Sequence, residues 1–322
     1  MRADRRGLWQ AGAALALLAG SSRLGTVRAG APDGKTAETG LLAFRMMPLG
    51  GRPGGAPDRA GTPQGPVSFV LPSSHAPDPR LPRLPVERLL AGVRLVLTES
   101  GYAPGEEAGD ELFRPEGDWP ALAALSPAEW AALRRNAACR GLEEGVARLR
   151  PILLLSVARE ACPAPGAGRA GRSPEDWLSG AARAMGLRTG ALESVGESMA
   201  AADAVPEAVY LGALRRALAD PASVAAEDRA LQRAYEDGDL NEVRRLTVAA
   251  MGGNEAGRAA FDRIVISARS RRMAARLAEA ATALPVVAVV GAAHLAGSDG
   301  MLALLQAQGF RLEAFRMRLA PG

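Results

Sequence analysis

The sequence predicts an α/β fold: a mixed sheet built from N- and C-terminal β-α-β units, with a long helical insertion between them. Three observations predict it. A ten-residue pattern occurs near both ends, PVSFVLPSSH at Pro66–His75 and PVVAVVGAAH at Pro285–His294. Each copy is an apolar, β-branched run that stops at two small residues and a histidine, as a buried strand ending in a tight loop does. Between about Trp119 and Ala283, helix-start and helix-stop signals dominate. After the second copy, a helical pattern and a strand at Phe310–Met317 close the chain.

The elements follow in order. Arg2, Arg5 and Arg6 precede an apolar stretch from Leu8 to Ala19, and Ala29-Gly30-Ala31 offers a small-residue cleavage site. Residues 1–31 therefore read as a signal peptide of the Sec or twin-arginine type, and the protein is expected to be periplasmic or secreted. The apolar core is too short to cross a bilayer comfortably, so no membrane span is expected in the mature chain. Residues 32–65 are dense in Gly and Pro and read as a linker holding one strand-like stretch, Leu41–Met47. A domain over residues 66–318 then opens with the first repeat strand. The Pro-rich APDPRLPRLP, a short helix at Val86–Ala91 and a strand at Val93–Leu97 running into Thr98-Glu99 complete the first β-α-β unit.

In the insertion, Ser126-Pro127-Ala128-Glu129 is a capping box with Pro at the first helical position, and Ser173-Pro174-Glu175-Asp176 is a close variant. Asp239 and Asn254 mark two further helix starts, and Gly186 ends the helix begun at Pro174. A short strand, Leu187–Leu192, interrupts the helices and again ends in a carboxylate, Glu193. Beyond His294, a helix from about Asp299 to Gln308 stops at Gly309 before the final strand.

Composition narrows the function. Across 322 residues the formal charge is +4 and aromatics make up 4%. Lys35 is the sole lysine, and the arginines are dispersed among Asp and Glu, so a dedicated nucleic-acid face is not expected. The only cysteines, Cys139 and Cys162, can pair in an oxidising compartment or stand as two buried thiols. No P-loop, dinucleotide-binding glycine fingerprint, EF-hand or His-Glu-x-x-His helix occurs. Ser73 and Ser74 lack a Gly-x-Ser-x-Gly elbow, which argues against a serine hydrolase.

His75 and His294 are the only histidines, and both close the repeat. Open α/β sheets bind ligands at the carboxyl edge of their strands, so two such strands lying side by side aim both imidazoles at one point. The plainer reading of either ring is a cap on nearby backbone groups. Two imidazoles and one carboxylate suffice to hold a divalent ion while leaving positions for water and substrate.

The first repeat with its sequel, VSFVLPSSHAPDPRLPRLPVERLLAGVRLVLTES, resembles the opening motif of the TraB/GumN family. LSPAEW, ALESVGESMAA, AYEDGDLNEV, ARSRRMAARL and VVGAAHLAGSDGMLALLQAQGF resemble further family blocks in family order, over roughly residues 41 to 318. The family includes the Tiki proteins, proposed metal-dependent proteases with two Gly-x-x-His motifs and a glutamate, and it is grouped with erythromycin-esterase-like and ChaN-like folds. The resemblance implies a metal-dependent hydrolase acting on a peptide or small-molecule substrate, with His75, His294 and Glu99 as ligands to Mn, Co or Zn. In that chemistry Glu193 accepts a proton and Arg269 stabilises an oxyanion or a substrate carboxylate. This chain departs from the pattern in three places. Pro72 replaces the first motif glycine, the Gly-Leu-Glu-Thr block reads Ala191-Leu192-Glu193-Ser194, and the Arg-Asn pair reads Arg269-Ser270. The alternative reading is a non-enzymatic periplasmic module that binds a small molecule, haem or a peptide signal in the same crevice.

Overall fold

The computed structural model describes residues 40–49, 67–101, 110–160, 162 and 172–319. Its centre is one six-stranded mixed sheet made of β1 (Leu41–Pro48), β2 (Ser68–Ser73), β3 (Leu95–Gly101), β4 (Arg188–Ser194), β5 (Val286–Gly291) and β6 (Phe310–Met317). Their spatial order is β4-β3-β5-β2-β1-β6. β2, β5, β3 and β4 are mutually parallel, while β1 pairs antiparallel with both β2 and β6. The C-terminal β5 thus slots between the N-terminal β2 and β3, which brings the two repeat strands side by side.

β5 is buried at every position because both sheet faces are covered. Successive strand side chains point to opposite faces. Val287 and Val289 accordingly join one apolar cluster with the insertion helices, while Val286, Ala288 and Val290 join a second with the helix Ala268–Ala283 and Met301. The run of β-branched residues is therefore the central wall of two cores.

The strand placed by sequence in the linker proves integral: β1 runs in register with all of β6, from Leu41↔Met317 to Pro48↔Phe310. Its pairing to β2 stops at Val70. Pro72 lies two residues past that ladder's last pair, beside Val290 of β5, in a position compatible with proline's restrictions in sheets. The signal peptide and most of the linker fall outside the described residues.

The insertion is helical as expected, with caps where the sequence puts them. Ser126 forms a reciprocal box with Glu129, and the side chains of Ser173, Asp239 and Asn254 accept from Asp176, Glu242 and Gly257 backbone N–H groups. Ser194 ends β4 and caps Val195–Asp203 through a second reciprocal box with Glu197. The last helix is shorter than expected, Met301–Ala307, because the Asp299 carboxylate is bound to Arg244 at 2.7 Å and Gly300 takes the cap position. A disulfide joins Cys139 to Cys162 across a separation of 23 residues. No helix among the described residues is long and apolar enough to cross a membrane.

Candidate functional site

The two repeats end at the same sheet edge, yet their backbones diverge there. After β5 the chain turns directly into a helical turn, Ala292–Leu295, which carries His294. After β2 it makes a left-handed step at His75, φ 58°, the one non-glycine residue with positive φ among those described. Such a conformation is costly for a residue with a Cβ and clusters at functional sites. Ser73 Oγ helps to hold it by accepting the His75 backbone N–H at 2.8 Å.

Both rings converge on Glu99, inside β3. His75 Nε2 lies 3.5 Å from Glu99 Oε2, and His294 Nε2 lies 3.6 Å from Oε1. Oε2 also accepts the Gly291 backbone N–H at 2.7 Å. A methyl group on Gly291 would stand 2.5 Å from His75 Nε2 and 2.8 Å from Glu99 Oε2. The glycine of the intact Gly-x-x-His is thus needed for space: the imidazole and the carboxylate occupy the volume a side chain would fill.

The far side of each imidazole is also engaged. His75 Nδ1 approaches Glu175 Oε1 to 2.6 Å, with both side chains largely buried. His294 Nδ1 lies 3.0 Å from Ser270 Oγ and 3.3 Å from the Ile266 carbonyl. Ser270 donates its own proton to the same carbonyl at 2.7 Å, so its oxygen is left to accept from Nδ1–H. Ile266 belongs to a π-helical turn, Asp262–Ser267, that precedes the helix Ala268–Ala283. Such turns often mark functional sites. Arg244 clamps the surrounding loops by binding Asp262, Asp299 and the Ala296 carbonyl.

Arg269 lies at the heart of the site, 1% exposed. Its Nη2 donates to Glu99 Oε1 at 2.6 Å, its Nε donates to Glu193 Oε1 at 2.6 Å, and its Nη1 lies 3.3 Å from His294 Nε2. A guanidinium can only donate, so His294 Nε2 accepts and its proton resides on Nδ1. Glu193, at the end of β4, is bound a second time by Arg272 at 3.3 Å.

These contacts separate the two histidines electrostatically. Burial pushes His294 down, Arg269 and His75 add to that, and its pKa falls to about 3, so the ring is neutral at ordinary pH. Burial also pulls His75 down, but Glu175 and then Glu99 outweigh it and raise its pKa. Burial pushes the Glu99 carboxyl up, yet His294, Arg269, His75 and the Gly291 N–H hold it far below the usual carboxylate range. Glu175, also pushed up by burial, is held low by His75.

The model of the TraB/PrgY/gumN family matches residues 69–314. The chain belongs to that family. No curated protein and no solved structure matches it. In this family member all five residues singled out from sequence, His75, His294, Glu99, Glu193 and Arg269, form one contact network. Sequence reasoning misses Glu175 as a site residue, since Ser173-Pro174-Glu175-Asp176 reads as a helix start. Ser173 caps Asp176, which leaves the Glu175 side chain to turn back towards His75.

The donor set suits a divalent ion in type and direction. Each imidazole presents Nε2 towards Glu99 while its Nδ1 faces an acceptor, the outer arrangement that orients metal-bound histidines, and Gly291 supplies the cradle. Spacing is another matter: among the described residues, no three His, Cys, Asp or Glu groups stand close enough to hold an ion as placed. Arg269 engages Glu99 and His294, and ion binding requires its 3.3 Å contact with His294 to open.

Above the charged floor is a cavity of about 50 Å³, roofed by the helices Pro221–Asp237 and Leu240–Ala249 and by the π-helical turn. Tyr235 ties roof to floor by donating its hydroxyl to the Pro72 carbonyl at 3.3 Å.

Proposed function

We propose that this protein is a metal-dependent hydrolase of peptide or ester bonds, working at the carboxyl edge of β2, β3 and β5. One observation supports the reading above all: two imidazoles from opposite ends of the chain approach the two oxygens of one buried carboxylate at 3.5 and 3.6 Å. His75, His294 and Glu99 would hold Mn, Co or Zn, which when bound supplies Lewis acidity and lowers the pKa of water.

The chain's own groups do the rest. Gly291 N–H and Arg269 Nη2 fix the Glu99 carboxylate. Ser270 and the Ile266 carbonyl fix the His294 tautomer with its Nε2 lone pair inward. Arg269, once its contact to His294 opens, presents a cation for the oxygen charge that develops on the substrate carbonyl. Glu193 is bound by two guanidinium groups, so in our reading it positions Arg269 instead of carrying protons. Glu175, at Nδ1 on the far side of His75, holds that ring with its Nε2 inward, as Ser270 does for His294. The balance is that of hydrolysis: water oxygen bonds to the carbonyl carbon, the C–N or C–O bond breaks, and the leaving group takes up a proton.

A second reading has its own support. Arg269 already provides a cation between Glu99 and His294, which suits a non-enzymatic module that binds a small molecule or a peptide. A cavity of about 50 Å³ gives no room for haem as it stands. Purified full-length protein, loaded with Mn, Co or Zn and given peptide and ester probes, separates the two. Hydrolysis abolished by a chelator and restored by the metal supports the enzyme; chelator-insensitive binding without turnover supports the binder and overturns the enzyme.

Mature protein is expected in the periplasm or outside the cell, on the strength of residues 1–31. A fusion of those residues to a reporter, left in the cytoplasm and uncleaved, would count against that expectation.

A further inference from the structure

The cleft has two unlike walls. The sheet side carries His75, Arg269 and His294, whereas the helical side presents Leu231, Val243, Phe261, Val265 and Ile266. Polar groups on the helical side are turned to protein partners. Asp228 accepts from buried Arg159 at 2.8 Å, the Gln232 amide donates to Glu236 at 2.8 Å, and the Thr247 hydroxyl donates to the Val243 carbonyl at 2.8 Å. Tyr235 gives its proton to the Pro72 carbonyl.

An entering group therefore meets reactive charge below and apolar surface above. A charged group pressed against that roof would lose its hydration with no partner to replace it. An apolar group gains by leaving water. Size limits the choice further. Sites for drug-sized ligands hold several hundred Å³, and about 50 Å³ leaves room for one short side chain.

We infer that the helical roof is a specificity pocket for a short aliphatic side chain on the substrate, of valine to leucine size, next to the bond placed over His75 and His294. The inference rests on the hydrolase reading for its placement, but the pocket's preference is measurable by binding alone. Val243 and Leu231 are the residues assigned to set the size limit.

The test uses a series of peptides identical except at one position, which carries Gly, Val, Leu, Phe, Asp or Lys. Full-length metal-loaded protein should cleave the Val or Leu peptides with kcat/KM about 10-fold or more above Gly, with Asp and Lys below Gly. Val243→Ala, and separately Leu231→Ala, should move the optimum towards Leu or Phe by about 10-fold relative to Val. Circular dichroism establishes that each variant is folded. In parallel, the Tm rise caused by each peptide is measured on Glu99→Gln protein, which reads binding without turnover. Equal Tm rises for Val, Gly and Asp peptides, or an order unchanged in both variants, overturn the inference. Absent cleavage with the aliphatic order retained in Tm supports the pocket and overturns only the hydrolase reading.

Discussion

Glu99 Oε1 and Arg269 Nη2 stand 2.6 Å apart with both side chains almost wholly buried, so the deepest charges of the site are compensated inside the protein. Removing one partner of such a pair leaves the other unpaired in a poorly solvated place. Arg269→Leu strands both Glu99 and Glu193 and should destabilise the fold by about 3–5 kcal/mol. Glu99→Gln keeps a carbonyl to accept from Arg269 or Gly291 and should cost less. Urea unfolding of the two variants checks the order.

Gly291→Ala should be damaging out of proportion to its size, because the new methyl meets His75 Nε2 at 2.5 Å and Glu99 Oε2 at 2.8 Å. A loss of about 1–3 kcal/mol is expected. Gly212→Ala provides the contrast. That position lies inside the helix Glu207–Ala219 and faces open space where a methyl would stand, so alanine should raise stability by up to about 1 kcal/mol.

Stability of the metal-free protein should peak near pH 6.5. Below that value unfolded His294 takes up a proton that the folded ring, at about 3, refuses, so stability falls as pH drops from 6.5 towards 3. Glu99 and Glu175, both held low, add to the loss below about 4.5. His75 has the opposite sign. Its raised pKa contributes stability in full below 6.5, and that contribution is lost as pH rises through the folded value. Each differentially bound proton gives a slope of about 1.4 kcal/mol per pH unit. Urea melts from pH 4 to 9 in chelator should show both limbs, His294→Gln flattening the acid one and His75→Gln the alkaline one.

Ser270 takes the asparagine position of the Arg-Asn pair that the family resemblance implies, and its hydroxyl meets His294 Nδ1 at 3.0 Å. Ser270→Ala should loosen the ring and weaken metal affinity by about 10–100-fold, the usual scale for an outer partner of a metal-bound histidine. Ser270→Asn should restore it. Competition against a metallochromic chelator measures both.

Much of this architecture is legible in the chain because its signals are local. Phe310–Met317 alternates and is a strand over that span; Ser126, Asp239 and Asn254 cap the helices they precede. The repeat announces paired strands because the same buried wall demands the same residues twice. Other features depend on partners far away in sequence. β1 shows as a strand-like stretch among Gly and Pro, but its place in the sheet comes from register with β6, some 270 residues later. Glu175 looks like any first-turn carboxylate until β2 brings His75 over it. The left-handed step at His75 leaves no trace in residue type, and nothing local in the RSRR stretch marks Arg269 as a buried charge.

The central claim is that His75, His294 and Glu99 act as one metal-binding centre, and equilibrium metal binding tests it most directly. Full-length protein should take up one Mn, Co or Zn per chain, and His75→Ala, His294→Ala and Glu99→Gln should each abolish stoichiometric uptake while remaining folded by circular dichroism. Wild-type protein that binds none of these ions, or a His75→Ala/His294→Ala double variant that binds as much as wild type, would contradict the account.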